Sequence, residues 1–97
     1  MVNFKTTERK KYTLVEFELN QLISPADLEN LQPPEVKGTK GVILSGRAPI
    51  WLYGMLIHHY HPTAFIGVYE PRIGGGVVVA SHNPAYKIGD VIPMEVK

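Results

Sequence analysis

Between Gly41 and His82 this chain carries all four of its histidines, its one tryptophan, and two arginines set in tight turns. Such side chains transfer protons, hold anions and bind metal ions. Ser45-Gly46-Arg47-Ala48-Pro49 combines a glycine turn with a guanidinium, whose fork can hold a phosphate through two hydrogen bonds. His58-His59-Tyr60-His61 supplies imidazoles, the groups best suited to proton transfer near neutrality. Glu70-Pro71-Arg72 sets a carboxylate and a guanidinium two residues apart, with a proline fixing the chain between them, and Ser81-His82 follows beyond a glycine run.

Each group also has an ordinary reading. Gly46 can serve a plain strand-to-helix turn with Arg47 solvated, the histidines can be polar residues at a helix end, and Glu70 can pair with Arg72 on a solvated turn. Spacing sharpens the choice for the histidines. On a helix His58 and His61 project from one side, whereas His59 points about 160° away from His61. His58 and His61 can therefore share a site that His59 does not enter. Neither a P-loop signature nor the HExxH zinc signature occurs, so a nucleoside triphosphatase or a zincin is not indicated.

The elements that must position these groups follow from pattern. Phe4 to Glu8 and Tyr12 to Leu19 are rich in β-formers and flank Arg9-Lys10-Lys11, which predicts a hairpin with a basic tip. Ser24-Pro25 starts a short helix to about Leu31, stopped before Pro33-Pro34. Gly41 to Leu44 is a short apolar run fit for a buried strand. Pro49 opens a helix over Ile50 to Tyr60 whose apolar residues go almost all the way round, so it should be buried on one side and face a partner on another. Ala64 to Tyr69 and Val77 to Ala80, joined by the Gly74-Gly75-Gly76 run, form a hairpin at the middle of the sheet, and Val91 to Val96 makes a last strand that Pro93 assigns to an edge. If the two hairpin strands pair, His82 lies roughly 20 Å from Glu70 at about 3.3 Å per residue. One copy of the chain then does not complete a site holding both, and a symmetric or stacked assembly would.

With 97 residues, 44% of them hydrophobic and 20% charged, the chain reads as one globular domain spanning 1–97. A net charge of +1 excludes the broad attraction that a duplex-DNA binder uses, so an anion must be met locally. Without cysteine there are no disulfides or thiolate metal sites. No stretch is apolar enough to span a membrane, and no leader pattern opens the sequence, so the expected location is the cytoplasm.

The segments GVILSGRAPIWL, HHYH, FIGVYEPR, VVVASH and KIGDVI, in this order, resemble the small type III CRISPR-associated ring nucleases of the Csx-three (ring nuclease three) group. They cover about half the chain. The resemblance implies an α+β domain with a mixed sheet of five to six strands and two helices, ferredoxin-like or CARF-like. It implies dimers that stack head to tail into a tetramer or filament and degrade cyclic tetra-adenylate. A manganese-dependent removal of adenylates from RNA 3′ ends belongs to the same group. Carried over by position, His61, Glu70, Arg72 and His58 would be catalytic, Ser45, Gly46, Arg47 and Arg72 would bind substrate, and Glu70 with His82 would hold Mn²⁺. Glu70 stands where the family has aspartate, which moves the carboxylate by about one methylene. Other classes compatible with the residues are a module that sequesters the cyclic ligand uncut, an RNA 3′-end exonuclease, and an oligomerisation domain with inert histidines.

Overall fold

The computed structural model describes residues 2–94, so Glu95 and Val96 of the expected last strand lie outside the described residues. β1 (Val2–Glu8) and β2 (Tyr12–Leu19) pair antiparallel in unbroken register from Val2 opposite Leu19 to Glu8 opposite Thr13. The Arg9 N–H donates to the Tyr12 carbonyl at 2.8 Å and closes the basic tip. The next segment makes a 3₁₀ helix, Pro25–Asn30, rather than an α-helix. Ser24 and Asp27 form a capping box there, with the Ser24 N–H donating to the Asp27 carboxylate at 2.7 Å. None of its residues is buried, so little packing holds it in a longer helix.

β3 (Gly41–Gly46) is buried from Gly41 through Ser45 and runs parallel to both neighbours, as a continuous apolar strand should. α1 (Ile50–His59) links β3 to β4 (Phe65–Glu70), and β5 (Gly75–Ser81) and β6 (Val91–Pro93) follow antiparallel. The six strands lie in sequence order, β1 to β6, as one mixed sheet. β6 occupies the edge that Pro93 demands, and the β4–β5 hairpin stands next to it rather than at the centre. A ferredoxin-like sheet would place a strand between the two parallel partners of each crossover. Here β2 with β3, and β3 with β4, are direct neighbours, so that variant of the expected fold is not the one formed.

Leu52, Leu56 and Tyr60, spaced by four, lay one stripe of α1 on Val15, Phe17, Val42, Leu44 and Ile66. Full burial of each such aliphatic side chain stabilises by about 1.5–3 kcal/mol. Ile50 at the start of α1 is 87% exposed, so the apolar girth of the helix exceeds what the sheet covers. The opposite face of the sheet holds a second cluster of Leu14, Ile43, Phe65 and Val78. Tyr86 stacks on Phe65 there, with ring centroids 4.2 Å apart. Gly41 makes that packing possible, since a Cβ on it would strike the Phe65 ring. Gly74, at φ 73°, takes the left-handed conformation that turns β4 into β5.

Candidate functional site at two rims of the sheet

The strand directions send the chemically able residues to two opposite rims. One rim gathers the ends of β3 and β4 with the turn that follows each. Pairing of Leu44 with Val68 brings Ser45-Gly46 alongside Tyr69-Glu70. Tyr53, in the first turns of α1, holds the β3–α1 turn: its hydroxyl accepts from the Gly46 N–H at 3.0 Å and donates to the Gly46 carbonyl at 2.6 Å. Burial raises the Tyr53 phenol above its ordinary pKa, partly offset by the bond to Gly46, so the hydroxyl keeps the proton it donates. Gly46 has no room for a side chain, as a Cβ would strike the Phe17 carbonyl and ring. Arg47 is exposed, and no side chain caps the N-terminus of α1 that follows it. Glu70 does not pair with the Arg72 guanidinium. Its carboxylate accepts the Arg72 backbone N–H at 3.1 Å and its carbonyl accepts from Ile73 and Gly74, which leaves the Arg72 side chain exposed beside the turn. A groove of about 370 Å³ opens next to Ser45-Gly46, walled by Lys5, Glu16 and Glu18.

The other rim gathers the ends of α1 and β5 with the start of β4. Register sets Phe65 opposite Ser81, and the His82 N–H donates to the Ala64 carbonyl at 2.9 Å. α1 stops at His59, so His61 leaves on a turn whose Thr63 hydroxyl donates to the Tyr60 carbonyl at 2.8 Å. That turn delivers the His61 ring onto His82, edge to face, with centroids 4.7 Å apart and planes at 82°. His58 is joined to His61 only through backbone, the His61 N–H donating to the His58 carbonyl at 3.2 Å. His59 turns the other way and meets the Tyr60 ring edge-on at 4.8 Å.

Ser45, Gly46, Arg47, Glu70 and Arg72 thus share one rim, and His61, His82 and the exposed His58 the other. Glu70 pairs with Gly75 at one end of the β4–β5 ladder while Phe65 pairs with Ser81 at the far end. Among the described residues no three histidine or carboxylate side chains gather at metal-binding separation. Glu70 and His82 of one chain therefore do not fit a shared Mn²⁺.

The sequence reading passed over two tyrosines that build these rims. Tyr53 pins the Gly46 turn, and the Tyr60 hydroxyl donates to the Pro34 carbonyl, anchoring the 32–40 loop behind the histidines. Burial pushes the Tyr60 phenol up to about 12. The available signal was an aromatic with a polar tip on the sheet-facing side of an apolar helix, a residue type that finds a hydrogen-bond partner when buried.

Residues 16–93 match the family model described as CRISPR-associated protein (Cas_csx3). The chain is also 55% identical over 87 residues to a protein of Aquifex aeolicus (strain VF5) described only as uncharacterized, a match spanning 86% of this chain and 78% of that one. The matched segment contains both rims, from Ser45 to His82, and the chain belongs to the Csx3 family of CRISPR-associated proteins.

Proposed function

We propose that this protein is a phosphodiesterase that opens cyclic tetra-adenylate in a site completed by two copies of the chain. The observation that carries the reading is the placement of the anion-holding and proton-transferring groups at opposite ends of the same strands. Stacking one copy on another brings a turn rim onto a histidine rim, so every junction becomes one whole site. Arg47, Arg72 and the Ser45-Gly46 backbone then hold phosphates and offset the charge that develops on the phosphoryl oxygens. The His61–His82 pair provides two imidazoles side by side, enough for both proton transfers of RNA cleavage. One takes the proton from a ribose 2′-hydroxyl as its oxygen bonds to phosphorus. The other gives a proton to the 5′-oxygen as the phosphorus–oxygen bond breaks, leaving a 2′,3′-cyclic phosphate and a 5′-hydroxyl. Mn²⁺ belongs to this reading only as a bridge between copies, with Glu70 from one and His82 from the next.

The test is complementation between copies. His61→Ala and Arg72→Ala are each expected to be inactive on cyclic tetra-adenylate, and mixing them should restore part of the activity, because some junctions then pair an intact turn rim with an intact histidine rim. Mixed variants as inactive as each alone would reject the shared site. Product analysis with cyclic tri-, tetra- and hexa-adenylate, with and without Mn²⁺, fixes ring size and products. A second reading, a module that sequesters the ring uncut, is favoured by the Glu70 carboxylate, which is engaged by its own turn. Intact ligand at stoichiometric protein with Mn²⁺ present would establish it.

A further inference from the structure

The net charge of +1 conceals a polarised molecule. Arg9, Lys10 and Lys11 at the β1–β2 tip, with Lys37 and Lys40, stand on the histidine rim, where Glu8 and Glu35 are the acids nearby. The turn rim mixes Lys5, Arg47 and Arg72 with Glu16, Glu18 and Glu70. We infer that the basic tip is the seat of a single-stranded RNA backbone that leads a linear strand across the rim to the His61–His82 pair.

Three features carry this. The tip is continuous with the histidines: the Gly41 N–H donates to the Lys11 carbonyl at 3.3 Å, the Ala64 N–H to Lys40 at 3.2 Å, and the His82 N–H to Ala64 at 2.9 Å. Three strand spacings of about 4.8 Å separate Lys11 from His82, the path of a few nucleotides. The tip is also held in place, because Lys40 Nζ donates to the Arg9 carbonyl at 2.7 Å and to Glu8 at 3.2 Å. Finally, Glu8 is taken up by Lys37 and Lys40, at 3.5 and 3.2 Å, and among the described residues no acid pairs with Arg9, Lys10 or Lys11. A row of fixed, unpaired cations suits a phosphodiester chain, whose binding is a sum of local phosphate contacts. A compact ring held between two rims has no strand to lay along it. The inference rests on the reading of the histidine pair as a phosphodiester site.

The experiment measures binding of a labelled linear oligoadenylate of about ten nucleotides by anisotropy across a salt series, alongside cleavage of cyclic tetra-adenylate. The triple variant Arg9→Ala, Lys10→Ala, Lys11→Ala should lower the salt slope by about two and weaken linear binding about tenfold to a hundredfold at moderate salt. Ring cleavage should stay unchanged. The charge-keeping variant Arg9→Lys, Lys10→Arg, Lys11→Arg should bind as the natural chain does. An unchanged salt slope in the alanine variant, no linear binding by the natural protein, or an equal loss for ring and strand would each overturn the inference. Tip-dependent binding of linear RNA by a protein that cleaves nothing would uphold it while rejecting the phosphodiesterase.

Discussion

The turn rim and the histidine rim are built from the same strands in opposite ways. The turn rim is organised by backbone: Gly46 is gripped on both its polar atoms by Tyr53, and Glu70 folds its carboxylate onto the Arg72 N–H. Its functional side chains, Arg47 and Arg72, project free of the scaffold. The histidine rim is organised by side chains, with two imidazoles in contact above the buried Phe65 and Tyr86 stack. A rim of the first kind adapts to a ligand through mobile guanidinium forks. One of the second kind presents proton-transfer groups at fixed separation, which is what reaction geometry requires. Division of labour between binding and chemistry follows from that contrast.

The largest expected effect tests the chemical side. His61→Ala should lower cyclic tetra-adenylate turnover about 10²–10⁴-fold, the range for loss of a proton-transfer group, with Tm unchanged because His61 is exposed. Arg72→Ala should instead act on affinity as well as rate. Equal patterns of KM and kcat change in the two variants would erase the distinction between the rims.

Next in size is a change to the floor of the histidine rim. Gly41→Ala drives a Cβ into the Phe65 ring, and overpacking of this kind costs about 1–3 kcal/mol. Phe65 lies opposite Ser81, so the displacement should reach His82 and reduce cleavage beyond the loss in stability. Ligand affinity, which belongs to the other rim, should hold. Denaturant unfolding and ligand titration of the one variant check both halves.

Tyr53→Phe is the counterpart on the turn rim. The ring should stay against Phe17, now 5.1 Å between centroids, while both polar atoms of Gly46 lose their partner. A lost partner of this kind costs about 1–3 kcal/mol. With the turn unpinned, KM for the cyclic ligand should rise about tenfold or less and kcat should move little, which separates positioning of Arg47 from loss of fold.

Much of this division was legible from the residues. The Gly74-Gly75-Gly76 run between two β-rich segments was enough to send Glu70 and His82 to opposite ends of a hairpin, and the β4–β5 register has that form. β-formers placed β2 as it stands, and Pro93 placed β6 at an edge. The contact between His61 and His82 was not legible. Helical spacing tied His61 to His58, but the helix ends at His59, and beyond that residue an angle per residue no longer applies. The grip of Tyr53 on Gly46 was hidden for a related reason: it joins a helix to the turn before it, and only the way the helix packs decides which tyrosine reaches back. The 3₁₀ form of Pro25–Asn30 escaped because a cap and a proline announce where a helix starts, not how many turns tertiary packing will sustain.

The smallest effect concerns the brace behind the basic tip. Glu8 is held below the ordinary carboxylate range by the hydrogen bond from Lys40, then by the charges of Lys37 and Lys40. A carboxylate whose pKa is depressed by folding adds stability that is present above its unfolded value of 4.5 and is lost as pH falls through the lower folded one. Glu8 is solvent-exposed, so salt screens the contribution and it stays small. Glu8→Gln should therefore flatten stability slightly below pH 4.5 while leaving the histidine pair untouched, as read by Tm across an acid series. Its more telling readout is linear RNA binding. Removing Glu8 takes away the acid nearest the tip and should tighten binding at low salt, whereas a brace needed to hold the tip in place would weaken it.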